Sequence, residues 1–215
     1  MGIFGEIVSL FLDRTSFFLE LLVQHMILSG ISIVIITVLG ITLGILMSEN
    51  RPLAATILTL TNFLYTIPSI ALFGFLVAIT GIGAKSAIIA LVIYGLLPII
   101  RNTYVGLTEI DPQIIDAALG MGSTEFQMMK KVKFPMALPI IFAGFRNMVV
   151  MTIALAGIAS FIGAGGLGVA IWRGITTNYP VMTIAGSLLV ALLAIVSDSI
   201  LGIIEKRIGG IYHEQ

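Results

Sequence analysis

Residues 101–135 read RNTYVGLTEIDPQIIDAALGMGSTEFQMMKKVKFP, the one long polar connection in an otherwise apolar chain. Asp111-Pro112 is a helix start, because aspartate caps free backbone N–H groups and proline is tolerated at the first helical position. From there Ile114, Ile115, Ala118, Leu119, Met121 and Gly122 put small and apolar groups on one side. Ser123 is placed to cap a second helix with Glu125 and Gln127 in its opening turn. Lys130, Lys131 and Lys133 close that helix, where cations suit the dipole. Pro135 marks entry to the next apolar run. The pattern predicts a helix–turn–helix parallel to a membrane, with Ala117, Ala118, Gly120 and Gly122 leaving little side chain over the backbone. A well-capped connection of this length reads as a docking surface rather than a passive linker.

Outward from this segment the chain is built for lipid. Of its 215 residues 58% are hydrophobic and 10% charged, and mean hydropathy is +1.13. A soluble domain carries about a quarter charged residues, so a water-soluble enzyme and a disordered chain are both excluded. Net charge is zero, which gives no global field for nucleic acid. With no cysteine there is no disulfide framework, thiolate metal site or thiol nucleophile.

A helix needs about 20 apolar residues to span the hydrocarbon. The gaps between charges predict five spans, at about 22–47, 53–79, 86–107, 138–162 and 181–203, within a single transmembrane domain covering 1–215. The second is read as one helix kinked at Pro68, and Thr80 to Gly83 as the turn after it. Ile3, Phe4, Ile7, Leu10 and Phe11 recur at helical spacing, as in an amphipathic helix lying on the membrane surface. With the C-terminus inside, the inner segments hold Arg51, Arg101, Lys130, Lys131, Lys133, Lys206 and Arg207, against Arg14, Lys85 and Arg173 outside. The positive-inside rule therefore places the N-terminus outside and the C-terminus in the cytoplasm, with 108–135 a cytoplasmic loop.

In that loop, Asp116-Ala117-Ala118, Gly122, Val132 and Phe134-Pro135 resemble the EAA loop of permease subunits of binding-protein-dependent ABC importers. The family pattern is Glu-Ala-Ala, three residues, Gly, nine residues, Ile, one residue, Leu-Pro. Every spacing is kept, with Asp for Glu, Val for Ile and Phe for Leu. The resemblance implies an all-α integral membrane protein, a five-helix type I ABC importer permease with a methionine-permease-like core and a cytoplasmic coupling helix. It implies that Asp116, Ala117, Ala118, Gly122 and Pro135 couple the chain to a cytoplasmic ABC ATPase dimer. The remaining partners implied are a second permease subunit, identical or homologous, an extracellular substrate-binding protein and membrane lipid, in a bacterial inner membrane. No Walker motif is present, so ATP and Mg belong to the partner ATPase and this chain carries no cofactor and is not itself an enzyme. NFLYTIPSIALFGFL (Asn62 to Leu76) and AGIASFIGAGGLGVAIWRGI (Ala156 to Ile175) resemble the osmoprotectant branch, importers of glycine betaine, carnitine or choline. An importer of methionine or another amino-acid-like solute is the alternative, and a stand-alone channel is the reading from a different class.

A quaternary ammonium has no N–H to donate, so aromatic faces are its natural partners. Tyr65 and Phe161 are the leading candidates for the substrate path, with Phe63 and Tyr94 behind them and Trp172 beside a span. Each of these serves equally well as core or interfacial belt. Arg146 and Asp198 lie about two turns inside their spans, where unpaired charge is costly. They either neutralise one another, line a water-filled inner vestibule, or snorkel separately to the interface. Gly163, Gly165 and Gly168 satisfy GxGxxG, but the approach is a spanning helix rather than a strand, so the stretch is read as a flexible outer turn. His25 and His213 are too far apart to bind metal together and are read as interfacial and solvated.

Overall fold

The computed structural model describes residues 2–213, with side chains to 210. Its helices are α1 (Ile3–Asp13), α2 (Thr15–Glu49), α3 (Arg51–Thr66), α4 (Ser69–Thr80), α5 (Ala84–Thr108), α6 (Pro112–Gly120), α7 (Glu125–Met128), α8 (Phe134–Ala159), α9 (Gly168–Thr176) and α10 (Pro180–His213). A π-helical turn, Met129–Lys133, joins α7 to α8, and a 3-10 turn, Ser160–Ile162, ends α8. Four helical stretches are long and apolar enough to cross a membrane, and the α3–α4 pair makes a fifth if it counts as one span.

α5 is the centre of the bundle, packed on α2, α3, α4 and α8, while α10 packs on α8, α9 and α1. In lipid there is no transfer gain from hiding one apolar helix against another, so close packing must supply the attraction. The α2–α5 contact shows how. Gly40 and Gly44, four residues apart, receive Ile99 and Thr103, and Gly95 on α5 receives Ile36 in return; an added Cβ at any of the three would collide with its guest. Ile36 and Ile99 are wholly buried there, in a core continued by Met148 and Ile153 of α8. A second core joins Leu72, Phe73 and Leu76 of α4 to Leu91 and Tyr94 of α5 and to Ala156 of α8.

Four expectations need correction. The span at 53–79 is no kinked rod: α3 and α4 meet at 99°. Pro68 has no N–H to continue the helix and holds Ile67 in extended geometry, φ −69° and ψ 127°. The carbonyl this frees at Ile67 accepts the Tyr94 hydroxyl. Next, Lys130–Lys133 do not end a helix, because Glu125–Ile162 is one continuous stretch. The π turn sits just before Pro135, where an α-helical ladder would lack a donor. Third, the glycine stretch forms the expected turn, but a further helix, α9, follows it before the last span. Finally, His25 is not solvated but completely buried. The His213 side chain lies outside the described residues. α1 carries an apolar face as expected, and Ile7 and Leu10 bury it in a cluster shared with α2, α9 and α10.

Candidate functional site

Asp111 starts α6 as expected, its carboxylate accepting from Gln113 N–H at 2.9 Å. Asp116 and Ala117 are exposed, whereas Ala118 is buried. The helix ends in a glycine cap. Ser123 N–H donates to Ala118 O at 3.1 Å and Gly122 N–H to Leu119 O at 2.8 Å, around Gly122 at φ +80°. That left-handed conformation, rather than the mere absence of a side chain, is what demands glycine here. The second helix is capped by Thr124 instead of Ser123. Thr124 Oγ1 accepts from Gln127 N–H at 3.3 Å, while Gln127 Oε1 accepts from Thr124 N–H at 3.0 Å, a reciprocal box. Pro135 is half-buried in the first turn of α8.

Around this corner, large apolar groups stand in the open. Met121 is 80% exposed and Phe126 74%, with Leu119 about half exposed. Phe126 was not singled out from the sequence; the signal was an aromatic residue placed directly inside a capping box. The Lys130 ammonium lies 6.0 Å from its ring centroid.

Further along α8, Arg146 meets Asp198 of α10: Nε donates to Oδ1 at 2.6 Å and Nη2 to Oδ2 at 2.7 Å. Nη1 donates to Glu205 at 2.6 Å. All three side chains are partly exposed. Glu205 was missed, although Asp198, Gly202 and Glu205 fall at i, i+4 and i+7 on one face of α10. Gly202 makes room: a Cβ there would stand 3.0 Å from the guanidinium carbon.

The aromatic candidates fall into separate groups. Tyr65 and Tyr94 pack edge to face at 5.7 Å. Tyr94 is buried with its hydroxyl committed to Ile67 O, while Tyr65 is 44% exposed with its hydroxyl 3.4 Å from Met151 Sδ. Phe161 pairs with Trp172 at 4.9 Å. Phe63 is exposed and joins neither pair; it lines a shallow groove along α3 with Thr56, Thr59 and Leu60.

The fold is a helical membrane bundle with a capped, apolar-tipped connection between two of its spans. Residues 36–210 match the family described as binding-protein-dependent transport system inner membrane component, and the chain belongs to that family. It is a multi-pass permease of the ABC importer type. The osmoprotectant import permease protein OsmW of Salmonella typhimurium is 41% identical over 195 residues, 88% of this chain and 91% of that one. The ergothioneine transport permease/ergothioneine binding protein EgtU of Helicobacter pylori is 42% identical over 173 residues, 80% of this chain. The match spans 31% of that longer relative. In fold, the chain is similar to one from the inward-facing MetNI methionine ABC transporter in its CY5 native crystal form, with TM-score 0.78 at 23% identity over 91% of this chain and 98% of that one. Its fold is thus that of a type I importer permease.

Proposed function

We propose that this permease carries quaternary ammonium osmoprotectants, such as glycine betaine, carnitine or choline, into the cell. The observation that supports the substrate class is the 41% identity, along nearly its full length, with a relative named for osmoprotectant import. A second reading follows from the relative named for ergothioneine, a solute that also bears a trimethylammonium group. Both readings ask the same of the path: aromatic faces in place of hydrogen-bond acceptors. Tyr65 and Phe161 are the proposed lining, with Tyr94 holding Tyr65 and Trp172 backing Phe161. Phe63 lies apart from both pairs and ranks last.

In this reading the N-terminus lies outside and the C-terminus in the cytoplasm. The 108–135 loop docks on a cytoplasmic ATPase, one of two that bind ATP and Mg and do the hydrolysis. Asp116, Ala117, Ala118, Gly122 and Pro135 form or support the docked corner, and the exposure of Met121 and Phe126 supports a protein partner there, because such groups gain by leaving water. A second permease, identical or homologous, completes the path, and an extracellular binding protein delivers solute. ATP-driven closure of the ATPases shifts the permease between states, which requires the docked contact to favour one state over the other. The Arg146–Asp198 pair with Glu205 ties α8 to α10.

The test is uptake by the complete importer in proteoliposomes, with labelled glycine betaine competed by carnitine, choline, ergothioneine and methionine. ATP-dependent betaine uptake blocked by carnitine or choline, and not by methionine, supports the proposal. Uptake of ergothioneine alone moves the assignment to the second reading. Methionine uptake, or solute leak through the permease alone without ATP, overturns it.

A further inference from the structure

At the end of the bundle opposite α6, the loop Gly163-Ala164-Gly165-Gly166-Leu167-Gly168 lies against the start of α2. Gly166 N–H donates to Gln24 Oε1 at 3.1 Å, and Gln24 Nε2 in turn donates to Glu20 at 3.1 Å. Leu167 N–H donates to His25 Nδ1 at 3.3 Å, and His25 Nε2 lies 3.0 Å from Ile153 O of α8. These two contacts fix the ring's chemistry. A carbonyl only accepts, so Nε2 carries the proton; an amide N–H only donates, so Nδ1 is bare. The imidazole is used at both edges, with one bond to the loop and one to α8.

The loop's own sequence is shaped to this contact. Gly165 and Gly166 adopt φ +80° and +87°. A Cβ at Gly165 would stand 2.6 Å from Gln24 Oε1, and one at Gly166 would stand 3.1 Å from His25 Nδ1. Ser160 Oγ donates to Gly165 O at 2.6 Å, and Gly83 N–H of the α4–α5 turn donates to Ile162 O at 2.9 Å. Three spans therefore converge on one short stretch of backbone.

We propose that Gln24 and His25 are positioning residues that clamp the 163–168 loop to α2 and α8 through a neutral, Nε2-protonated imidazole, so that the three segments travel as one body when the permease changes state. The importance of that motion rests on the importer reading above; the clamp itself does not.

The experiment uses the complete importer in nanodiscs with His25→Asn, His25→Gln and His25→Ala. The Asn amide oxygen takes the place of Nδ1 and still accepts from Leu167, whereas the Gln amide reaches toward Ile153 and offers the loop nothing. Amide exchange over 160–170 should rise about tenfold in His25→Ala and His25→Gln and stay near wild type in His25→Asn. Uptake should fall in the same order at unchanged membrane level. Should His25→Ala fail to assemble, the Asn–Gln contrast carries the test. Nitrogen-15 spectra of labelled histidine, in a His213→Gln background that leaves one histidine, should show a bare Nδ1 and a protonated Nε2. Unchanged exchange in all variants, rescue by Gln instead of Asn, or an Nδ1-protonated or charged ring overturns the clamp. A wild-type importer that moves no solute yet shows the predicted exchange pattern removes the importer reading and leaves the clamp standing.

Discussion

Arg146 holds Asp198 by a two-point fork and Glu205 by a single bond, so the two carboxylates on α10 are unequal partners. Asp198→Asn should lower the thermal midpoint of the purified permease more than Glu205→Gln. The groups are partly exposed, so the deficit should shrink as salt is raised. Reversing both charges, Arg146→Asp with Asp198→Arg, should recover part of what each single reversal loses. Strictly additive losses would count against a coupled pair.

Gly122 separates two causes of failure at the proposed docking corner. Nothing lies within 4 Å of a Cβ added there, so only the backbone conformation resists Gly122→Ala. The expected cost is about 1 kcal/mol in the local cap, with Gly122→Asn costing less because asparagine tolerates the left-handed region. Gly122→Trp should instead abolish uptake by blocking the partner's approach while the permease stays folded in the membrane. Normal uptake by that variant would defeat the coupling assignment.

Phe126 and Met121 contribute little to the permease alone, since both stand mostly in solvent. Phe126→Ser and Met121→Ser should leave its melting temperature unchanged yet weaken co-purification of the ATPase, the double variant more than either single one. Retention of the ATPase at wild-type level would show that the apolar tips face nothing in the complex.

The spans were legible because charges punctuate the sequence so sparsely, and the loop because its caps and spacing are local signals. What stayed hidden depended on distant backbone. His25 reads as an ordinary residue at a span's edge, since its partners, Ile153 O and Leu167 N–H, lie 128 and 142 positions away and carry no side-chain signature. The Pro68 break was visible, but its angle was not: the 99° turn is set by where α5 receives Leu72, Phe73 and Leu76. Glu205 was readable from its spacing to Asp198, yet it falls just past the predicted end of the last span at about 203.

Tyr94 and Tyr65 share an aromatic contact but should respond differently to losing a hydroxyl. Tyr94→Phe leaves the Ile67 carbonyl without its partner at the proline break, a loss of about 1–3 kcal/mol in stability. Tyr65→Phe should be nearly silent, because thioether sulfur is a weak acceptor. Tyr65→Ala removes the ring and should depress uptake of quaternary ammonium solutes while membrane levels hold. Chemical denaturation and uptake measured on the same preparations separate the two effects.

Thr103 is the one side chain whose buried polar atom has no partner among the described residues. Its carbon atoms fill the space left by Gly44, so Thr103→Val keeps the fit and removes the orphaned hydroxyl. Stability should rise by about 1 kcal/mol. A drop would mean that the hydroxyl is satisfied in the membrane-embedded protein.

The unbroken helix from Glu125 to Ile162 covers 38 residues, about 57 Å at 1.5 Å per residue. Thr124 and Gly122 lie at its base, and the glycine loop held by His25 begins one residue past its tip. A rod of that kind would act as a lever: a small tilt at the base would reappear as a sideways sweep of the tip. Two departures from α winding lie along it, the π turn at 129–133 near the base and the 3-10 turn at 160–162 at the tip, so a stroke entering from the proposed docking corner would be taken up at its two ends as a change of winding.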